Sequence, residues 1–293
     1  MTRSIFFTFI ALLFFGQVSF AQSKELRIIM IGAHPDDCDL KSGGTAALFA
    51  SLGHKVKFVS VTNGDAGHQS KGGGALAKIR REEAHESARR LGIEEYKVLD
   101  NHDGELVPSL EVRLQIIREI RKWKADVVIA PRPNDYHPDH RYTGVLVQDA
   151  SFMVSVPNVA PDTEPLAKNA VFLYFQDHFQ RPNPFRADIV IDIDKTFDTK
   201  INGLDAHVSQ FYEWLPWISG YPNDVPEGKK ERIEWLKQFR KDGINDEVRA
   251  GLEKWYGTAH AKKVSHAEAF QICEYGKQPT EEEIKKLFPM LGK

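Results

Sequence analysis

Two short clusters carry the residue types of metal-assisted chemistry: Ala33-His34-Pro35-Asp36-Asp37 and His137-Pro138-Asp139-His140. Imidazole and carboxylate suit zinc or a similar divalent ion, and a catalytic zinc typically keeps three protein ligands and one position for water. His34, Asp37 and one histidine of the second cluster would supply such a set. Asp36 is then a carboxylate beside the metal and not needed as a ligand, which is what a general base requires to deprotonate an activated water. The other histidine would donate to an oxyanion or protonate a leaving nitrogen. Asp139 would orient that imidazole and raise its pKa. Either cluster alone is as readily a turn, since Pro and Asp are standard turn and cap residues. Placement decides between the two readings.

Each cluster follows a predicted strand. Residues 26–31 (LRIIMI) are a β-branched apolar run of the kind buried in parallel sheets. Gly43-Gly44 opens a helical stretch to about residue 52, and 55–61 reads as a second strand, closed by Thr62-Asn63-Gly64. Residues 75–91 form a charged amphipathic helix with Gly92 just past its end, where positive φ is tolerated. Residues 96–99, 110–123 and 126–130 continue as strand, helix, strand. This alternation predicts an α/β fold, a mostly parallel sheet with helices on both faces. In such sheets ligands bind beyond the carboxyl ends of the strands, where strand order reverses, so clusters about a hundred positions apart can meet. Beyond this core, 142–155 reads as helix, 170–175 and 188–193 as strands and 195–214 as helix. A helical C-terminal elaboration is expected from about residue 195. Residues 214–226, rich in Trp, Pro and Gly, read as a loop or lid, and the aromatics of 211–221 fit either the core or a sugar-stacking surface.

Arg3, the apolar run 5–15 and Ser19-Phe20-Ala21 have the three-part pattern of a secretory signal peptide cleaved after Ala21. The run is short of the about 20 apolar residues that span a bilayer. The expectation is an exported protein, periplasmic or extracellular, without stable membrane insertion after cleavage, with residues 22–293 as a single domain. A formal net charge of −2 gives no reason to expect a nucleic-acid partner. Cys38 and Cys273 are expected as free thiols. No Gly-x-Ser-x-Gly elbow is present, and strand one is not followed by a dinucleotide-binding fingerprint.

His34-Pro35-Asp36-Asp37, Gly43-Gly44-Thr45, Thr62-Asn63-Gly64-Asp65-Ala66-Gly67, Arg80-Arg81-Glu82-Glu83 and His137-Pro138-Asp139-His140, in this order, closely resemble the PIG-L (LmbE-like) N-acetylglucosaminyl deacetylase family. His207-Val208-Ser209-Gln210 and Ala267-Glu268-Ala269-Phe270 fit it too, so the resemblance runs over about residues 26–275. It implies a Rossmann-like fold, hydrolysis of N-acetylated sugars or their conjugates, and one divalent metal, usually zinc, on His34, Asp37 and His140. It further implies Asp36 as general base, His137 as the group that stabilises the tetrahedral intermediate, Asp139 as the residue that tunes it, and Arg80 as a substrate contact. On the residues alone, Arg80 reads instead as a solvated helix charge with Glu83 as a local partner. Asp39 departs from the glutamate frequent in the family, Cys38 reads as packing, and His68 has no assigned role. The competing reading is an inactive relative that binds glycans. The intact Asp36 argues against it, because a binder has no use for a base beside the metal.

Overall fold

The computed structural model describes residues 24–239 and 244–292, so the expected signal peptide lies outside the described residues. The first half alternates strictly: β1 (Arg27–Gly32), α1 (Asp37–Ser51), β2 (Lys55–Thr62), α2 (Gly73–Leu91), β3 (Glu95–Asn101), α3 (Leu110–Trp123), β4 (Val127–Ala130), α4 (Pro138–Met153) and β5 (Val171–Phe175). Then come β6 (Ile189–Asp192), α5 (Phe197–Leu204), a π-helical turn (Ser209–Trp214), α6 (Leu215–Ile218), α7 (Lys229–Phe239), α8 (Asp246–Tyr256), α9 (Thr258–Ala261), β7 (Ala267–Gly276) and α10 (Glu281–Leu287). The strands form one sheet in the order β3-β2-β1-β4-β5-β7-β6. The pairings from β3 through β5 are parallel, and β7 runs antiparallel between β5 and β6.

The apolar runs are continuous because both faces of the sheet are covered. On β1, Ile28 and Met30 pack with Phe49, Ala84 and Ala88 under α1 and α2. Ile29 and Ile31 point the other way, into Ile116, Ile117 and Leu146 from α3 and α4. Strand order reverses between β1 and β4, which pair directly. The crevice of a doubly wound sheet therefore opens at the carboxyl ends of these two strands, where both sequence clusters lie.

Three features differ from the sequence expectation. Helix α1 begins at Asp37, so Gly43 and Gly44 lie inside it and do not open it. The reason is packing: a Cβ on Gly44 would lie 2.7 Å from Ile193 Cδ1. The helix expected over 195–214 stops at Leu204 and resumes as the π-helical turn. Finally, the C-terminal region is not purely helical. β7 returns to the sheet, and its Glu268 accepts from the Gly44 and Thr45 peptides at 3.0 and 2.7 Å while pairing with Lys200 at 3.0 Å.

Candidate active site

β1 exits through Ala33 and His34 and reverses into α1. Gly32 permits the reversal, since a Cβ there would sit 2.6 Å from Asp37 Cβ. Asp37 Oδ2 then closes the turn by accepting from the Ala33 and His34 peptides at 2.9 and 2.8 Å. Across the crevice, the loop after β4 enters α4 with His137 at the N-cap and Pro138 in the first turn, a position where proline costs no hydrogen bond. A Cβ on Gly144 would meet the backbone of Pro131, Arg132 and Pro133 at 2.8 Å, so glycine lets α4 lie against the β4 exit.

The turn and the helix bring three donors together. His34 Nδ1 lies 3.2 Å from His140 Nε2 and 3.6 Å from Asp37 Oδ2, and His140 Nε2 lies 3.4 Å from Asp37 Oδ1. Tetrahedral ligands at zinc bond lengths of about 2.0–2.1 Å stand about 3.4 Å apart, so this donor set fits a small divalent cation. The outer nitrogens also meet carboxylates. His34 Nε2 is 3.0 Å from Asp103 Oδ1 and 3.5 Å from Asp139 Oδ2, and His140 Nδ1 is 3.0 Å from Asp135 Oδ1. Carboxylates at that position fix the orientation and basicity of metal-binding imidazoles. Among the described residues, two groupings offer three atoms all within 4.8 Å of one another, His34 with His137 and His140, and His34 with Asp103 and Asp139; Asp37 is in neither, the oxygens nearest His34 and His140 being different ones. The first lacks a carboxylate and the second uses the far nitrogen of His34, so the set containing Asp37 is the better cation site.

Protons follow the same geometry. Burial depresses the His34 imidazole, but Asp103, Asp139 and Asp37 together hold it well above its ordinary range. Burial opposes protonation of His140 too, yet Asp37 and Asp135 lift it to about 9. Burial pushes Asp37 up, and the two imidazoles override it, keeping the carboxyl well below its usual range. Asp103 is likewise pushed up by burial but held at about 2 by His34. A cation would take over the charge that these protons supply.

Two sequence expectations need correction here. Arg80 is not a solvated charge: it is 2% exposed, and its Nη2 donates to Asp36 Oδ1 at 3.0 Å. Glu83 is not its partner, because Glu83 accepts from the Ser209 peptide at 2.7 Å and hydroxyl at 2.6 Å. The α2 spacing held the signal. Leu76, Ala77, Ala84, Ala88 and Leu91 form its buried stripe, and Arg80 falls on that stripe. The second correction concerns Asp139. Its carboxylate accepts from the Gly104 peptide at 2.7 Å and faces His34, while its own peptide N–H donates to His137 Nδ1 at 3.2 Å. His137 is nevertheless shifted down, by burial and then by the charges of His34 and His140, which outweigh the upward pull of Asp139.

Other residues take structural places. Asp39 is buried, accepting from Ser87 and from Tyr96 at 2.9 Å, with His207 Nε2 3.3 Å away. His68 pairs with Glu213 at 2.8 Å. Cys38 and Cys273 are both buried and free. Asp103 and Asp135 had no sequence signal, because an isolated loop aspartate looks like any turn residue. Asp103 is set in place by Asp65, which accepts from its peptide at 3.0 Å and holds His102 at 2.7 Å.

Residues 29–151 match the PIG-L family, described as GlcNAc-PI de-N-acetylase. The chain is 32% identical over 207 residues to diacetylchitobiose deacetylase of Thermococcus kodakarensis, covering 66% of this chain and 74% of that enzyme. It is 24% identical over 194 residues to 4-oxalmesaconate hydratase of Pseudomonas putida, covering 64% and 74%. The structure of N,N'-diacetylchitobiose deacetylase from Pyrococcus horikoshii superposes with a TM-score of 0.61 at 28% identity, covering 84% of this chain and 83% of that one. With its fold, its motifs and this degree of likeness, the chain belongs to the PIG-L family.

Proposed function

We propose that this chain is a metal-dependent amide hydrolase that removes an acetyl group from the nitrogen of an amino-sugar-like substrate. His34, Asp37 and His140 would hold the ion, most simply zinc given two imidazoles and one carboxylate. The similarity to two diacetylchitobiose deacetylases supports the substrate class. The observation that carries the reading is Asp36, adjacent in sequence to Asp37 of the donor set and accepting from the buried Arg80 at 3.0 Å.

When bound, the ion supplies Lewis acidity, making water easier to deprotonate and the acyl oxygen easier to charge. The chain's own residues do the rest. Asp36, held in place by Arg80, takes the proton from water and passes it to the departing amine nitrogen as the carbon–nitrogen bond breaks. His137 accepts a peptide N–H at Nδ1, so its neutral ring carries the proton on Nε2 and donates from there to the developing oxyanion. The downward shift keeps His137 neutral near pH 7. Asp103 and Asp135 keep the two ligand imidazoles oriented. A glycan-binding protein without activity is disfavoured, since it has no use for an Arg-braced base.

The deciding experiment is acetate release from a panel of N-acetylated glucosamines and chito-oligosaccharides by zinc-loaded protein, with chelated protein as control. Acetate released only by the loaded form is the expected result, and silence on every N-acyl sugar would refute the reading. The reading also takes residues 1–21 as a cleaved signal peptide, with the remaining chain as one exported domain acting on extracellular glycan. Mature protein from the native host should begin at Gln22 by N-terminal sequencing; a retained Met1 would mean an uncleaved anchor.

A further inference from the structure

The aromatic segment 211–221 divides into two parts. Phe211 and Tyr212 are buried in the main core. Trp214 and Trp217 are not: their rings stack with centroids 5.5 Å apart and planes 20° apart, and Trp217 remains 47% exposed. Resting on the deacetylase reading above, we infer that the Trp214–Trp217 stack is a platform for a second sugar ring beside the acylated one, making an N-acetylated oligosaccharide the preferred substrate class.

The first argument is place. A Cβ built on Gly67 would lie 3.2 Å from Asp103 Oδ2, 3.5 Å from Arg80 Nη1 and 3.7 Å from Trp214 Nε1. These three groups surround one backbone position, so the indole N–H of Trp214 borders the groups that hold Asp36 and His34. The second is rigidity. Trp214 ends the π-helical turn, a rare geometry frequent at functional sites, and that turn is tied down by side chains at several positions. Ser209 is held by Glu83, the Gln210 side chain donates to Gly67 O at 3.1 Å, and Glu213 pairs with His68 and with Lys71. Trp217, on α6 directly after the turn, stacks on Trp214 at its end, so its exposed indole is preorganised and loses little entropy on binding.

The third argument is chemistry. Indole offers an apolar face next to a polar N–H, which suits a pyranose ring with C–H bonds on its faces and hydroxyls at its edge. Glu213 and Lys71 beside the stack provide an acceptor and a donor for those hydroxyls.

The test compares kcat/KM for N-acetylglucosamine, diacetylchitobiose and tetra-N-acetylchitotetraose in the wild type, Trp217→Ala, Trp217→Tyr and Phe152→Ala. Phe152 is an exposed aromatic on the same protein, 12 residues along α4 from His140, and serves as the control. The expected result is a preference for the oligosaccharides that falls about tenfold in Trp217→Ala, mainly through KM, as the loss of about one aromatic contact implies. Trp217→Tyr should restore most of it and Phe152→Ala should leave it unchanged. An oligosaccharide preference unaltered by Trp217→Ala overturns the platform while leaving deacetylation intact. Should no sugar release acetate, the deacetylase reading fails by itself, and tryptophan emission titrated with chitotetraose still tests the platform. A saturable change that Trp217→Ala abolishes supports it, whereas no saturable change, or one that persists in Trp217→Ala, overturns it.

Discussion

Asp36 owes its position to one buried guanidinium. Its substitution by Asn keeps the donor set of His34, Asp37 and His140, so zinc content should stay stoichiometric while turnover falls by roughly 10²–10⁴-fold. Near-normal turnover in metal-replete Asp36→Asn would remove it as the base, and Asp39 would not replace it, being buried among Ser87, Tyr96 and His207. The two histidines of the second cluster should fail differently. His140→Ala should lose metal, whereas His137→Ala should keep metal and near-normal KM but lose kcat, because its contact strengthens only as charge develops. The pH dependence of metal affinity has a definite sign. In the absence of an ion His140 holds its proton up to about pH 9, so an ion binding at pH 7 must displace it. Apparent zinc affinity should therefore rise by at least tenfold per pH unit between 7 and 9, since His34, also held well above its ordinary range, must give up a proton as well. A flat profile in chelator competition would exclude His140 as a ligand. The adjacent motif residues were legible because strand ends gather them. Asp103 and Asp135 were not, since only tertiary contact separates them from ordinary turn aspartates.

At the scale of elements, the sequence pattern located the strands and helices of the first half within a few residues, because buried parallel strands and amphipathic helices have distinct periods. It misjudged the start of α1, where glycine, ordinarily a helix breaker, serves close packing against Ile193. It also did not mark β7, whose Glu268 looks solvent-seeking until Lys200 and two peptide N–H groups are seen around it. This buried pair joins β7, α1 and α5. Glu268→Ala removes the buried carboxylate that Lys200 and the Gly44 and Thr45 peptides share and should cost about 3–5 kcal/mol, lowering Tm by roughly 10 °C for a chain of this size. Differential scanning calorimetry checks this, and a loss under about 1 kcal/mol would show that the pair is not a structural clamp. Gly144→Ala should cost about 1–3 kcal/mol by overpacking and also reduce activity, because α4 carries His140 and begins at His137.

For the whole molecule, the site lies where two halves of one sheet meet, with the proposed ligands drawn from the turn after β1 and the start of α1 on one side and from α4 on the other. An ion bound there binds only the folded chain, so zinc at about 1,000 times its Kd should add about 4 kcal/mol of stability, seen as a Tm drop of several degrees on chelation. The order of the strands has a further consequence, for biogenesis. β5 and β6 are separated by only 13 residues of sequence, yet the strand that joins them, β7, is separated from β6 by 74. Until residue 276 has been synthesised, β5 presents an open edge and β6 has no neighbour, a state prone to edge-to-edge association. The sheet is thus completed last from its C-terminal part. A chain arrested before Ala267 should accumulate as an aggregate or a protease-sensitive species even though every proposed metal ligand is already present in it.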